Sequence, residues 1–312
     1  MKSLTQCLLR TLLPTFLLLT STTSFNLVSK LSPLSPTSTS LSSATRSDVD
    51  RNNFITTKTN DTLTYDFYSP PTPSNNRVLY LPCLHRAKNS AKSSNLLQHC
   101  RRQNYHFLCA DYYGVGRSTG NFIDACLTKW VSDAEELLDS NEGSYTLVGS
   151  GVGSWIAVLL AIKRPDVVSG LVGMACDPDF TEDLLWKNLS EEDKSEIEGK
   201  GIKDIQWGNE VYPISNSLIK DGRENLLLRG GPNSLKVDVP VRLIHGLSDP
   251  EVEYGTALKL LDCLESDDVS LVLRKGGGHQ LDEEEDMDTM RRAVDEVMTR
   301  GLGYDLRSPA SG

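Results

Sequence analysis

The sequence predicts one α/β domain with a mainly parallel sheet, preceded by a targeting presequence. From about Asp61 onward, short apolar runs alternate with helical stretches, which is the pattern of strand–helix–strand units. The 312 residues suffice for one sizeable core and are marginal for two. Hydrophobic residues make 38% and charged residues 24% of the chain, which is typical of a globular protein.

The charge balance and the cysteines exclude several function classes. There are 42 Asp+Glu against 32 Lys+Arg, a net charge of −10. We therefore expect no nucleic-acid partner, since binding to a phosphate backbone requires a basic face. The seven cysteines include no Cys-x-x-Cys pair, so neither a zinc module nor a disulfide framework is predicted. We expect no metal and no cofactor.

Residues 1–50 read as a presequence, and residues 51–312 as the folded domain. A basic start with Lys2 and Arg10 precedes an apolar run over 12–19, which is shorter than the roughly 20 residues of a membrane span. The following segment, 26–46, is rich in Ser, Thr and Pro and contains no acid. A signal-like run plus a transit segment, with Phe25 after the cleavage point, resembles the bipartite plastid presequence of diatoms. Plastid is the favoured organelle, and the mitochondrion is the alternative.

The secondary structure of the body follows from its apolar periodicity. Seven runs predict strands: Leu63–Tyr68, Val78–Leu81, His106–Ala110, Tyr145–Val148, Val168–Met174, Val241–Ile244 and Val269–Leu273. Five stretches predict helices: Ser90–Arg102, Ala125–Leu138, Gly153–Lys163, Glu253–Leu264 and Glu284–Thr299. The segment 177–233 has charged helical pieces, few candidate core residues and no convincing sheet strand. We expect it to be a helical lid insertion.

One segment combines a predicted strand, a turn of small residues and a helix, and two mechanisms use such a turn. In the nucleophile elbow, G-x-S-x-G, Gly149 and Gly153 take the outer places, and Gly151 takes the vertex where the nucleophilic serine belongs. In a dinucleotide fingerprint, G-x-G-x-x-G/A, the matching residues are Gly149, Gly151 and Ser154, with Asp177 as the ribose acid.

The order of residues further along the chain favours the elbow. An elbow requires an acid and then a histidine, each in a loop after a later strand. Asp249 follows the predicted strand Val241–Ile244, and His279 follows the next strand after three glycines. A dinucleotide fingerprint normally follows the first strand, whereas about three predicted strands precede this turn.

Several motifs spread over residues 78–299 resemble those of one family. They include Leu81-Pro82, Asp111 to Ser118, Lys129-Trp130, Val148 to Trp155, Arg164-Pro165, Arg242 to Gly246 and Leu273 to Lys275. With them the chain resembles the α/β-hydrolase-fold acyl-protein thioesterases. The resemblance implies an α/β-hydrolase fold with a helical lid. It also implies a serine hydrolase that removes fatty acyl groups from cysteine thioesters, with an acyl (thio)ester or an acylated protein as substrate.

The resemblance and the elbow together assign roles. Asp249 and His279 match the acid and the base of the family, while its nucleophilic serine aligns with Gly151. The backbone N–H groups of Val152 and Leu84 would stabilise the oxyanion.

Three neighbouring side chains receive other assignments. The family has glycine where Cys83 stands, and Cys83 is expected to be a small buried hydrophobe rather than a reactive thiol. Ser150 is not expected to replace the missing nucleophile, because adjacent side chains at a strand end point in different directions. Ser154, on the first helical turn, is expected to be a packing residue or a hydrogen-bonding residue at the helix N-terminus.

The predicted function is that of an acyl (thio)ester hydrolase-family protein. Because Gly151 carries no hydroxyl, the serine mechanism is expected to be lost or weakened, although His279 could still activate a water molecule. One alternative is a non-catalytic relative that binds an acyl ligand or a protein partner. A dinucleotide-binding enzyme is the remote alternative.

Overall fold

The fold is described from a computed structural model, which covers residues 49–207 and 210–305. The predicted presequence, residues 1–50, lies outside these residues, except that Val49 and Asp50 begin the first strand. The boundary at residue 50 and the proposed cleavage therefore stay predictions.

In residues 49–207 and 210–305, ten strands form a central sheet and a separate hairpin. They are β1 (Val49–Thr56), β2 (Thr62–Tyr68), β3 (Arg77–Leu81), β4 (His106–Ala110), β5 (Tyr145–Ser150), β6 (Val168–Met174), β7 (Ile202–Trp207), β8 (Glu210–Ser215), β9 (Val241–Gly246) and β10 (Val269–Arg274). The central sheet has the order β1-β2-β4-β3-β5-β6-β9-β10. The pairings of β2 with β1 and with β4 are antiparallel, and all other pairings in this sheet are parallel.

Within the part of the chain that the structure describes, seven α-helices connect or cover the strands. They are α1 (Ala91–Gln103), α2 (Leu127–Asp139), α3 (Val152–Lys163), α4 (Glu191–Lys200), α5 (Asn216–Glu224), α6 (Tyr254–Cys263) and α7 (Glu284–Asp305). Helices α1 and α7 share one apolar core with the sheet, while α2, α3 and α6 contribute to a second core. Across the described ranges, no helix combines the length and the hydrophobicity that a membrane span requires.

The α/β-hydrolase fold class predicted from the sequence is confirmed, with local differences. All seven predicted strands form, but β1 was not predicted. Its sequence, VDRNNFIT, is largely polar, and its register with β2 shifts between Asp50 and Asn53. This irregular edge strand therefore lacks the apolar alternation that identifies a strand in a sequence.

The insertion 177–233 differs from the expected helical lid in two respects. It holds a π-helical turn (Thr181–Leu185), α4 and α5, and also the antiparallel hairpin β7–β8. The expectation of few core residues was wrong, since many of its apolar side chains join the second core: Phe180, Leu185, Ile197, Ile205, Ile214, Leu218, Ile219, Leu227 and Leu228. The helical part is therefore seated on the sheet domain by hydrophobic burial.

The parallel strands bring five loops to one edge of the sheet. The carboxyl ends of β3, β5, β6, β9 and β10 all point to this edge. Side chains that follow these strands are therefore neighbours in space although they are distant in the chain, which is the usual place of a site in an open α/β sheet.

Candidate active site

A sharp turn between β5 and α3 forms the floor of the site. Its vertex, Gly151, has φ 53° and ψ −125°, a backbone conformation that strains any residue with a side chain. A Cβ on Gly149 would lie 2.5 Å from the Gly153 carbonyl oxygen, and one on Gly153 would collide with the Leu81 carbonyl. The two flanking positions therefore require glycine, and the turn has the tight geometry of a nucleophile elbow.

Asp249 and His279, the predicted acid and base, form a pair in the loops after β9 and β10, at the same edge of the sheet as this vertex. The Asp249 Oδ2 atom lies 2.9 Å from His279 Nδ1. The other carboxylate oxygen of Asp249 accepts backbone N–H groups from Glu251 at 2.8 Å and from Val252 at 2.9 Å. Because the buried carboxylate is held at both oxygens, it fixes the orientation of the imidazole.

The surroundings of His279 favour its charged form. Burial disfavours the imidazolium, but hydrogen bonds with Asp249 and Cys83 and the negative charges of Asp249 and Asp177 outweigh it, raising the pKa to about 11. With Nδ1 committed to Asp249, Nε2 is the ring nitrogen left for other partners, and Glu251 Oε2 lies 3.8 Å from it. His279 is thus placed to hold or release a proton above the elbow.

Cys83 occupies the space above the vertex, and it is less buried than expected. It is the second residue after the end of β3 and is only partly buried. A Cβ added to Gly151 would lie 2.5 Å from the Cys83 Sγ, and Cys83 lines the same cleft as His279. The sulfur therefore fills the volume that a vertex side chain would otherwise take.

The loop that carries Cys83 is held by a buried ionic cluster. The Lys88 ammonium lies 3.5 Å from Asp66 Oδ1 and 3.6 Å from Asp111 Oδ2, and its backbone N–H donates to Asp111 at 2.7 Å. Lys88 is 6% exposed, and both acids are buried as well. Removing one partner from such a cluster leaves a buried charge without compensation, which costs several kcal/mol. The cluster therefore holds the loop in a fixed position relative to the sheet.

The two residues predicted as oxyanion donors lie on either side of the vertex. Val152 is buried in the first turn of α3, where backbone N–H groups have no partner within the helix. Leu84 lines the cleft above the elbow and follows Cys83, whose carbonyl accepts the Arg86 N–H at 3.1 Å in a tight turn. Both positions stay predictions as oxyanion donors.

Both of the neighbouring serines are buried. Ser150 lies close enough to the phenol of Tyr80 to influence its pKa. Ser154 is fully buried in α3 beside Cys176 of the next strand's loop. Their placement supports the interpretation that they are not substitute nucleophiles.

Asp177 is a site residue that the sequence analysis considered only as a ribose ligand. It follows β6 and is 8% exposed, and its Oδ1 has no hydrogen-bond partner among the described residues. Its Oδ2 would lie 3.5 Å from a Cβ on Gly151. Burial is the main reason that the pKa of Asp177 rises to about 7. Its position in the loop after a parallel strand was the signal that could have placed it here.

A mostly apolar cleft opens above these groups. The insertion supplies its apolar wall with Phe180, Leu185, Ile205, Trp207 and Ile214. A second, more polar cavity adjoins it, and Cys83 lines both. Arg86 of the β3–α1 loop forms an ion pair with Glu210 of β8, so the hairpin is fastened to the loop beside Cys83.

Comparisons with known proteins identify the family. No family model matches the chain. Over 227 residues, however, the chain is 32% identical to the mitochondrial palmitoyl-protein thioesterase ABHD10 of Bos taurus, which covers 72% of this chain and 73% of the relative. The chain belongs to the ABHD10 thioesterase family.

Solved structures agree with the ABHD10 assignment. The structure of alpha/beta hydrolase domain-containing protein 10 from mouse superposes with a TM-score of 0.70 at 29% identity. The match covers 79% of this chain and 98% of the mouse chain. Est1E from Butyrivibrio proteoclasticus, bound to ferulic acid, gives a TM-score of 0.68 at 16% identity, covering 80% of this chain and 99% of its own, which shows the fold alone. ABHD10 relatives are hydrolases, and they give no support to the dinucleotide-binding alternative.

Proposed function

We propose that this protein hydrolyses fatty acyl thioesters, with acylated proteins as the substrate class. The observation that carries the proposal is the Asp249–His279 pair, joined at 2.9 Å, at the base of a cleft with an apolar wall. Its ABHD10 relative is named as a palmitoyl-protein thioesterase, and the apolar wall suits an acyl chain, since burial of each CH₂ contributes about 0.8 kcal/mol.

The chain's own residues divide the chemistry between them. The cleft holds the acyl chain, and the turn at Gly151 brings the first-turn N–H groups of α3 beneath the reacting carbonyl, where they stabilise developing negative charge. His279 moves the proton and Asp249 keeps its Nε2 directed at the site. Asp177 adds a second buried carboxyl whose pKa, raised to about 7, leaves it partly protonated near neutral pH.

Hydrolysis of a palmitoyl-thioester reporter tests this function. We expect turnover by the purified protein and a loss of at least ~100-fold in His279→Ala, because the proton-transfer group is gone. The matched control is His106→Gln. His106 is a partly buried histidine at the start of β4, away from the site, and its ring contacts the Ser74 carbonyl oxygen. Equal turnover by the wild type and His279→Ala, or none by the wild type, would contradict the proposal.

A second candidate function is binding of an acyl ligand or a protein partner without turnover. The specific observation in its favour is Gly151, since the elbow vertex carries no hydroxyl. This candidate predicts saturable binding of a fluorescent fatty acid that Ile205→Glu, a charge in the apolar wall, abolishes, with no release of product over hours.

We further propose that the presequence directs the protein to an organelle. The signal-like run and the acid-free segment support this, and the word mitochondrial in the ABHD10 relative's name supports the mitochondrial alternative. The plastid preference rests on Phe25 and the bipartite composition. A fluorescent fusion of residues 1–47 distinguishes the two organelles, and cytosolic fluorescence would contradict both.

A further inference from the structure

Cys83 and Gly151 divide between them what one residue supplies in an ordinary elbow. The strained vertex is present at Gly151, but it has no side chain, and the nearest nucleophilic atom to its Cβ position is the Cys83 Sγ, at 2.5 Å. The same thiol lines one cleft with His279 and is among the neighbours that raise the pKa of that histidine, whose Nδ1 atom is held by Asp249. Sulfur, imidazole and carboxylate are thus gathered at one site.

The site around the sulfur is built to receive a reactant. Asp177 is more than nine-tenths buried, lines the same cleft, and has an Oδ1 atom without a hydrogen-bond partner in the described part of the chain. Cys83 is partly exposed, whereas four other described cysteines, Cys100, Cys109, Cys176 and Cys263, are buried. The thiol is therefore accessible from the cleft and has an unused polar atom beside it.

We propose that Cys83 is the catalytic nucleophile, so that the enzyme works through a Cys83–His279–Asp249 triad and an S-acyl intermediate on Cys83. This inference rests on the proposed thioesterase function and adds the residue that carries the acyl group. The triad differs from the elbow arrangement in that its nucleophile comes from the loop after β3 and not from the turn after β5.

The acylation step exchanges one thioester for another. The Cys83 thiolate attacks the carbonyl carbon of the substrate thioester, a new C–S bond forms, and the bond to the departing sulfur breaks. The departing thiolate takes the proton from His279 and leaves as a thiol. A thiolate–imidazolium pair is the reactive state of such cysteine sites, and the surroundings of His279 favour its charged form.

The deacylation step returns the enzyme to its starting state. Water attacks the carbonyl of S-acyl Cys83 and gives one proton to His279. The C–S bond breaks, the fatty acid leaves, and the thiolate–imidazolium pair re-forms. The sum is one thioester plus one water giving one acid and one thiol, with no other reactant. Because the leaving group is itself a thiol, thioesters are the substrate class, and oxygen esters, with poorer leaving groups, should react more slowly.

The test compares Cys83→Ala with Cys126→Ala, because Cys126 is the other partly exposed cysteine in the described chain. Both variants and the wild type receive the palmitoyl-thioester reporter, and acidified reactions are mapped by peptide mass spectrometry. We expect a hydroxylamine-sensitive acyl adduct on Cys83 in the wild type and in Cys126→Ala. Cys83→Ala should lose the adduct and at least ~100-fold in kcat.

The outcomes separate this inference from the proposed function. If Cys83→Ala keeps its kcat within about threefold while His279→Ala is inactive, water is the direct nucleophile: the thioesterase proposal stands and the Cys83 inference falls. An adduct on Cys83 without turnover supports the nucleophile and overturns the hydrolase. Neither adduct nor turnover in a folded wild type overturns both. As a second measure, iodoacetamide at pH 6 should label Cys83 faster than Cys126, and His279→Ala should slow the labelling of Cys83 only.

Discussion

The elbow and the acid–base loops are two halves of one site, and they are equipped very differently. The elbow keeps its backbone architecture, with the vertex at φ 53° and ψ −125°, but presents no side chain. The loops after β9 and β10 carry a complete pair, with Asp249 saturated by backbone donors and joined to His279. The difference teaches that the scaffold of a nucleophile and the nucleophilic atom are separable, because a neighbouring loop can deliver an atom to the same volume.

Removing the equipped half should have the largest effect. In Asp249→Asn the imidazole loses its carboxylate partner, so its orientation and its charged form are both weakened. We expect kcat for the thioester reporter to fall by ~10²–10⁴-fold, a range typical of general acid–base groups. Circular dichroism should show an unchanged fold, and a variant that retains more than half of wild-type kcat would break the comparison drawn above.

Equipping the empty half should be destabilising by itself. Gly151→Ser adds a Cβ at 2.5 Å from the Cys83 Sγ at a φ that disfavours side chains, which we expect to cost roughly 1–3 kcal/mol in strain and a similar amount in overpacking. Thermal unfolding should show a clear loss in Tm.

The double variant Gly151→Ser, Cys83→Gly sharpens the same comparison. Removing the sulfur vacates the space, so the double variant should recover much of the Tm lost in the single variant and gain labelling by a fluorophosphonate. Addition of His279→Ala should abolish that labelling. Equal Tm for the single and double variants would show that the two side chains do not compete for one volume.

The charge of the acid–base half predicts a pH dependence of stability. The folded-state pKa of His279 is raised from 6.5 to about 11, and that of Asp177 from 3.8 to about 7. Both groups bind their proton more tightly when folded. Their contribution to the free energy of unfolding is therefore complete at pH values below the pKa of the unfolded state. It is lost as the pH rises through the pKa of the folded state.

We expect Tm to fall as pH rises from about 7 to 10, and the decline to be shallower in His279→Gln. His106→Gln is the control, because burial and the charge of Arg77 lower the pKa of His106. An identical slope in wild type and His279→Gln would show that Asp249 does not hold the imidazolium in the folded protein.

Removing the Arg86–Glu210 ion pair, which lies beside the cleft, should have the smallest effect on the reaction. Arg86 and Glu210 are each about two-fifths exposed (43% and 42%), and pairs so exposed contribute about 0–1 kcal/mol. Glu210→Gln should raise KM for the reporter by about two- to threefold with kcat unchanged, and salt should narrow the difference. Lys200→Gln, which removes a surface pair with Glu196 on α4, should leave KM unaltered.

Most of the sheet could be predicted from the sequence, because its strands are apolar runs and the helices between them have a periodic apolar pattern. The predicted bounds of His106–Ala110 and Val168–Met174 coincide with β4 and β6. The chain order of the candidate site residues Gly151, Asp249 and His279 could also be recognised in the sequence, since each of them follows a predicted strand. These elements are specified locally, and local pattern is what a single sequence displays.

The features that escaped prediction depend on tertiary contacts or on weak patterns. The hairpin β7–β8 is short and carries several charged residues, and Ile205 and Ile214 are its buried apolar side chains. The position of Cys83 depends on β3 and β5 being neighbours in the sheet, and on Lys88 fixing the loop through Asp66 and Asp111. A residue pattern in one loop carries no signal for a contact made across two strands.

Cys83 lines both the apolar cleft and the adjoining polar cavity. For a nucleophile in this position, the two products would have separate routes out of the site. An acyl group bound to its sulfur would extend on one side, while the departing thiol would find its own exit on the other. The first product can then leave before the second reactant enters, which is the kinetic order called ping-pong. A thiol that arrives through the polar exit would meet the acyl group ahead of water. The same geometry would therefore let this hydrolase pass its acyl group from one thiol to another.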